Sequence, residues 1–224
     1  HTSFLSSRWA PELFARNVAL AAPLRELDAT TVAMPQDEFI HTDLLNDFIV
    51  DFEIDHVLSV APASEIPKIY PRVDRTRTSF SQVLTGYLSE DTATRIAGIV
   101  RETPERPIDV GYRAWEGAPW LGRHGMLKRQ VSDAVNAEGP RLGLRTDCST
   151  RAEDTLLGDD WSRFLASCKC TVGVEGGASI LDHDGSLRAA TDSYLAEHPE
   201  ASFDEVEAAC FPGRDGELAL FALS

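Results

Sequence analysis

The stretch Ile108-Asp-Val-Gly-Tyr-Arg-Ala114 decides the fold class, because it is typical of a buried strand that runs into a loop. The loop, over 115–125, contains three glycines and leads into a helix over 126–138 whose apolar residues recur every four positions. A second strand over 142–147 follows. Strand, helix and strand in this order predict a βαβ unit and therefore a parallel sheet.

The same reading extends over the rest of the chain of 224 residues. Alternating strands and helices predict an α/β protein with parallel sheets in two Rossmann-like lobes. Strands are expected over 30–34, 56–60, 79–87 (ending at Gly86), 170–174 and 218–223, and helices over 11–23, 43–52, 161–167, 187–197 and 203–210, with a turn or short helix over 66–71 and a glycine-rich turn over 175–179.

A break in composition divides the chain. Residues 88–107 are polar, and Pro104 and Pro107 flank a Glu-Arg pair, which is typical of a linker. We therefore expect an N-terminal lobe over 1–88, a linker over 89–106 and a C-terminal lobe over 107–224. Because the chain begins at His1 and stops at Ser224, just after an apolar run, we expect both lobes to be partial.

The charge and composition exclude several classes of protein. The net charge is −15 and lysine occurs only three times, so no basic face is available for nucleic acid or an anionic membrane. The four cysteines form no CxxC pair and the six histidines are scattered, so neither a disulfide framework nor a metal site is expected. No signal peptide or membrane-length apolar run is visible, which predicts a cytoplasmic protein with no transmembrane segment.

The loop after the strand 108–114 is the first candidate binding site. Ligands of parallel α/β sheets bind beyond the carboxyl ends of strands, and Arg113 stands at such an end. Lys128 follows in the first turns of the next helix, with His124 and Gly125 in the loop between. Cationic side chains beside a helix N-terminus suit a diphosphate. The alternative is that Arg113 pairs with a surface carboxylate while Lys128 is solvated.

Two further segments carry candidate residues. In Glu175-Gly-Gly-Ala-Ser179, the glycines Gly176 and Gly177 would let a ligand approach the backbone, and Glu175 and Ser179 would bind sugar hydroxyls. An ordinary tight turn is the alternative. In the first half, Asp37 and Glu38 follow a predicted strand, so either carboxylate is a candidate general base. A helix-capping acidic turn is the alternative there.

Short stretches in a fixed order resemble a group of bacterial glycosyltransferase-like proteins with the two-lobed GT-B fold. They span nearly the whole chain, and the longest is the most specific. They are Pro35-Gln-Asp-Glu-Phe, Lys68-Ile-Tyr-Pro, Val83-Leu-Thr-Gly-Tyr, Ile108-Asp-Val-Gly-Tyr-Arg-Ala, Pro119-Trp-Leu-Gly, Trp161-x-x-Phe-Leu-Ala-Ser-Cys-Lys and Val172-Gly-Val-Glu-Gly-Gly-Ala-Ser-Ile-Leu-Asp-His-Asp-Gly185.

This resemblance implies transfer of a sugar from a nucleotide-sugar to an unknown acceptor, without an obligatory metal or other cofactor. It implies that Arg113 and Lys128 hold the diphosphate and that the 175–179 segment touches the sugar. The segment of such proteins that carries the ribose-binding glutamate has no counterpart in the chain. A non-catalytic module that binds a nucleotide, a sugar or a partner is therefore the alternative function. A dehydrogenase-like domain is disfavoured because no GxGxxG fingerprint is present.

Overall fold

The computed structural model describes residues 2–84 and 89–223 and shows a mixed α/β protein with parallel sheets. The chain divides into two compact units. Unit 1 comprises His1–Thr85, Pro119–Gly122 and Ala178–Phe221, and unit 2 comprises Gly86–Ala118, Arg123–Gly177 and Ala222–Ser224. Within the described ranges, no helix is both long and apolar enough to cross a membrane.

Unit 1 is built on a three-stranded parallel sheet in the order β1 (Val32–Ala33), β2 (His56–Ser59) and β3 (Ser79–Gln82). These strands lie within three predicted ones, although the end of the third prediction, at Gly86, falls outside the described residues. The helices of this part are α1 (Thr2–Ser6), α2 (Pro11–Ala21), α3 (Thr42–Asp51) and α4 (Ile66–Ile69).

Helix α3 packs on the unit 1 sheet through its apolar face. Leu45, Phe48 and Ile49 recur at helical spacing and are buried in one core cluster with Val57 of β2. Proline at the start of α2 fits its first turn, where a missing N–H leaves no hydrogen bond unmade. These helices were predicted, because apolar periodicity and the proline mark them in the sequence.

The C-terminal part of unit 1 joins this core. Residues 39–43 and 182–183 exchange backbone hydrogen bonds, and Ile40 forms a parallel bridge with Asp182. Helices α8 (Ser186–Glu197) and α9 (Phe203–Cys210) follow, both as predicted. Asp182 caps α8 by accepting from the backbone N–H groups of Gly185, Leu187 and Arg188, so the Asp-His-Asp-Gly segment is a helix start.

Unit 2 is built on a second three-stranded parallel sheet, in the order β5 (Thr146–Ser149), β4 (Ile108–Arg113) and β6 (Cys168–Thr171). The predicted βαβ unit is present, with α6 (Arg123–Glu138) between β4 and β5. Strand β5 begins later than predicted because Pro140–Leu142 forms a 3₁₀ turn, which ends in the left-handed Gly143. Helix α7 (Asp159–Ser167) leads into β6.

Two segments differ from the expected structure. The range 89–106, predicted as a linker, contains helix α5 (Glu90–Glu102), whose start is capped by Ser89. The range 175–179, predicted as a glycine-rich turn, contains strand β7 (Glu175–Ala178), which pairs with β8 (Leu220–Leu223). Small residues do not prevent a strand when an apolar neighbouring strand supplies the hydrogen bonds, which is why the turn interpretation was wrong.

The boundaries of the two compact units also differ from those of the expected lobes, 1–88 and 107–224. Ala178–Phe221, expected in the C-terminal lobe, belongs to unit 1. The reason is local packing: Ala178, Leu181 and Leu218 share the core cluster of β2 and α3.

Candidate functional site

A cavity of about 320 Å³ lies at the carboxyl ends of β4 and β5 in unit 2. This is the edge of a parallel sheet at which ligands bind, because the loops that follow the strands leave an opening there. We call the cavity the carboxyl-edge pocket; its lining residues are Arg113, Ala114, Trp115, Arg151, Asp154, Thr155, Leu156 and Trp161.

Arg113 forms the base of the carboxyl-edge pocket. Its guanidinium donates to the backbone oxygens of Tyr112 and Asp147 and forms an ion pair of 2.7 Å with the Asp147 carboxylate. It also lies 4.5 Å from the ring centroid of Phe164, and its side chain is only 15 % exposed. Its buried Nε has no hydrogen-bond partner among the described residues. Arg113 is therefore held rigidly with one donor unused, which is costly in a dry interior.

Two tryptophans line the carboxyl-edge pocket. Trp115 is 70 % exposed, and its indole N–H donates to the Thr155 hydroxyl at 2.9 Å. Trp161 stacks on Phe164 with ring centroids 6.1 Å apart and planes inclined by 29°. Large aromatic side chains left at the surface beside a cavity are typical of sites that bind planar or apolar groups.

Other residues that line the pocket carry charges of both signs. Arg151 is exposed and forms a hydrogen-bonded ion pair with Glu153. Asp154 accepts a 2.6 Å hydrogen bond from the Ser149 hydroxyl, at the end of β5. The site thus offers guanidinium donors for an anion and a carboxylate that accepts from hydroxyl groups.

The other predicted phosphate-binding residues lie on α6 and do not line this pocket. Gly125 is buried, and its backbone packs so closely on Gly117 that a Cβ at Gly117 would collide with it. His124 and Lys128 are half-buried. Lys128 makes no ion pair or hydrogen bond within the described part of the chain. Of the four predicted residues, only Arg113 contributes to the cavity.

Glu38, one of the two candidate bases, is completely buried in unit 1. Its carboxylate accepts from the Ser59 hydroxyl at 2.7 Å, from the backbone N–H of Val60 at 2.9 Å and from the Tyr70 hydroxyl. Arg8 is also fully buried. We call Arg8, Glu38, Ser59 and Tyr70 together the buried polar cluster. Burial raises the pKa of Glu38, although the three hydrogen bonds act in the opposite direction.

Arg8 fixes the loop between β1 and α3. It donates to the backbone oxygens of Gln36, Asp37 and Ile40, and also to that of Leu5. Asp37 has a left-handed backbone with φ of 53° and is exposed, and partial burial of its carboxylate raises its pKa. A non-glycine residue with positive φ is strained, and such residues concentrate at functional sites. Asp37 is accessible to a substrate, whereas Glu38 is not.

The predicted sugar-binding residues are split between the two units. Glu175 is exposed, Gly176 is buried and Gly177 is half-buried, all within β7 of unit 2. Ser179 belongs to unit 1, is buried, and hydrogen-bonds Asp215 at 2.7 Å. The Ser179 hydroxyl is thus already used within the fold.

Most of the carboxyl-edge pocket is not predicted from the sequence. Trp115, Arg151, Asp154 and Trp161 carry no prediction, because the binding sites predicted in the second half of the chain are confined to the loops after β4 and β6. The loop after β5 occupies the same sheet edge, and its Arg-Ala-Glu-Asp segment was a usable signal. The rule that ligands bind at strand carboxyl ends applies to every strand of the sheet.

No family model, no curated protein and no solved structure matches the chain. Among the described residues, no group of three or more His, Cys, Asp or Glu side chains is arranged to hold a metal ion. Any assignment of function therefore depends on the geometry of the described residues and on the resemblance stated above.

Proposed function

We propose that the protein is a glycosyltransferase of the GT-B type and that the carboxyl-edge pocket of unit 2 binds the nucleoside diphosphate of its sugar donor. The observation that carries the proposal is the buried Arg113, whose Nε has no partner, at the base of a cavity at the carboxyl ends of two parallel strands. A phosphate oxygen in the cavity would contact the Arg113 guanidinium, and it would satisfy Nε only after a small shift of the side chain, because that atom is buried.

The remaining lining residues match the other parts of a nucleotide. Arg151 at the wall would neutralise a second phosphate charge. Trp115 and Trp161 provide aromatic faces on which a base can stack. Asp154 would accept from a ribose hydroxyl. Charge stabilisation of the departing diphosphate by such guanidinium groups lowers the barrier to transfer, because that charge develops in the transition state.

On this proposal Asp37 is the general base that accepts the proton of the acceptor hydroxyl. Its exposure favours this role over Glu38, which is completely buried and whose oxygens already accept three hydrogen bonds. Proton transfer by such a group contributes about 10²- to 10⁴-fold to a rate. The expected roles of Lys128 in phosphate binding and of Glu175 in sugar binding stay predictions, because neither residue lines the carboxyl-edge pocket.

A calorimetric titration with nucleoside diphosphates, nucleotide-sugars and inorganic pyrophosphate tests donor binding. Arg151→Ala should weaken the binding of the preferred diphosphate by about 10- to 100-fold, the range for loss of a charge-assisted hydrogen bond. Arg141→Ala is the matched control, because Arg141 is also exposed and ion-paired with a nearby glutamate, and it does not line the pocket. Absence of binding across the panel would contradict the proposal.

A non-catalytic nucleotide-binding module is the second candidate, and the complete burial of Glu38 favours it, because one of the two candidate bases is thereby inaccessible to a substrate. Release of the nucleoside diphosphate, with transfer of the sugar to water or to an added acceptor hydroxyl, distinguishes the two. A glycosyltransferase should catalyse this transfer, and Asp37→Asn should slow it by at least about 10²-fold while donor binding stays unchanged. Binding without release, in wild type and variant alike, would leave the binding module as the function.

A further inference from the structure

A second cavity, of about 420 Å³, lies in unit 1 at the amino ends of β1 and β2. Of its thirteen lining residues, eleven are aliphatic or aromatic, the other two are Thr30 and Thr31, and none is charged. Leu5, Phe48 and Phe52 form its floor and belong to the core of unit 1. We call it the apolar pocket. Its volume is within the range of small-molecule sites, and a lining of this kind is typical of such sites.

The rim of the apolar pocket leaves large aliphatic side chains in water. Leu24 and Leu27, which line it, are 55 % and 58 % exposed. Val32 of β1, also in the lining, is 49 % exposed. A ligand that covers these side chains removes apolar surface from water, which favours binding. The pocket and its rim therefore form one apolar surface that continues from the core to solvent.

One cation lies beside this surface. The Arg25 guanidinium is stacked over the Phe52 ring at 4.3 Å, so it stands at the wall of the pocket. Its only ion pair among the described residues is a loose one, 3.9 Å from the exposed Asp51 carboxylate. An exposed pair at this distance contributes little and leaves the guanidinium able to bind another anion.

From this combination we propose that the apolar pocket binds a single hydrocarbon chain whose carboxylate contacts Arg25, that is, a fatty acid or a similar anionic amphiphile. The chain fills the cavity between the core and the exposed leucines, and the head group stays at the surface. The proposal is independent of the nucleotide site, because the pocket lies at the amino ends of the unit 1 strands.

Isothermal titration with saturated fatty acids of eight to sixteen carbons, below their micelle concentrations, tests the proposal. Affinity should increase by about fourfold for each added methylene and then level off at the length that fills the cavity. The plateau distinguishes a bounded pocket from adsorption to the surface. Affinity that does not depend on chain length, or no binding of any member, would overturn the proposal.

Three variants at exposed positions locate the bound chain. Leu27→Asp and Ala29→Trp, at the rim, should each reduce the affinity for the tightest-binding fatty acid by at least tenfold. The aspartate places a charge beside the hydrocarbon chain, and the tryptophan occupies part of the cavity. Leu20→Asp is the matched control, because Leu20 is 79 % exposed and does not line the pocket. Equal effects of Leu27→Asp and Leu20→Asp would contradict the assignment.

The head-group contact has a separate readout. Arg25→Ala should weaken the binding of the fatty acid by about 10-fold and leave the binding of the alcohol of equal length unchanged. Sedimentation at several protein concentrations is run alongside. A dimer that Leu27→Asp abolishes, with no fatty acid bound to the wild type, would assign the surface to a second copy and overturn the proposal.

Discussion

The carboxyl edges of the two sheets are occupied in opposite ways. In unit 1, the position beyond β1 and β2 is filled by the buried polar cluster, in which Arg8 and Glu38 are fully buried and hydrogen-bonded. In unit 2, the position beyond β4 and β5 is a cavity with exposed tryptophan and a buried arginine nitrogen that lacks a partner.

This difference shows that a charged residue at a strand's carboxyl end is not by itself a sign of a binding site. Glu38 and Arg113 occupy comparable places in their sheets, and both were predicted to be functional. The Glu38 carboxylate accepts hydrogen bonds from Ser59, Val60 and Tyr70, so its role is to stabilise the fold. Arg113 lines a cavity and has a buried Nε without a hydrogen-bond partner, and that combination favours a ligand-binding role.

The largest effect on stability should come from a change in the buried polar cluster of unit 1. Arg8→Ala would remove the donor to four backbone oxygens and leave the Glu38 carboxylate buried without the nearby positive charge. Loss of one partner of a buried charge pair costs about 3–5 kcal/mol. We expect urea denaturation to show a loss of this size for Arg8→Ala and almost none for Arg16→Ala, an exposed arginine on α2. A loss below about 1 kcal/mol would show that the cluster does not stabilise unit 1.

A smaller effect on stability should come from a change in β4, the strand that leads to the carboxyl-edge pocket. Gly111 lies in the centre of β4, where a Cβ would collide with the Cys168 sulfur and lie 2.9 Å from Phe164 Cζ. Gly111→Ala should therefore lower the free energy of unfolding by about 1–3 kcal/mol. Gly98→Ala in α5, where a Cβ meets nothing within 4 Å, should instead raise it by up to about 1 kcal/mol. Similar effects of both would mean that the sheet under the pocket is not tightly packed.

A change in ligand selectivity should follow from Asp154→Asn in the carboxyl-edge pocket. The neutral amide removes repulsion of phosphate, so pyrophosphate should bind about threefold more tightly. The same change replaces one of the two acceptor oxygens by an NH₂ donor and removes the charge from the other, so the nucleoside without phosphate should bind more weakly. Asp160→Asn on α7, outside the pocket lining, serves as the control for both titrations. Parallel changes for the two ligands would exclude the proposed role of Asp154.

Much of the fold could be predicted because periodicity and turn residues are local signals. Helices α2, α3, α6 and α8 and strand β4 lie close to their predicted bounds. Helix α5 was missed because its polar composition hides it, although Ser89 is a good N-cap. Strand β7 was missed because it is defined by its partner β8, more than 40 residues later in the chain, and no local pattern encodes that pairing.

Of the residues that line the carboxyl-edge pocket, only Arg113 was predicted, because the pocket also depends on contacts between distant segments. Arg113 stands at the end of a strand and is visible in the sequence. Trp115, Arg151 and Trp161 come from three separate segments, and only the order of strands β5, β4 and β6 brings them to one cavity. Likewise, the burial that separates Glu38 from its neighbour Asp37 depends on Arg8 and Tyr70, which lie about 30 residues away on either side.

The smallest effect should be the pH dependence of stability that arises from His41. His41 is buried at the N-cap of α3, with its ring against Gly185 at the N-cap of α8. Burial lowers its pKa, with Arg8 and Arg188 acting in the same direction and Asp182 and Asp43 opposing. A proton there would also face the positive ends of two helix dipoles.

Because the folded state binds this proton less readily than the unfolded chain, His41 stabilises the protein above its unfolded pKa of about 6.5 and loses that contribution as the pH falls through its lower folded pKa. His41→Asn keeps a side chain that tolerates the left-handed φ of 48° and cannot titrate. Urea denaturation between pH 5 and pH 8 should therefore show a gap between wild type and variant that changes in favour of the variant below about pH 6.5. A constant gap across this range would exclude His41 as the titrating group.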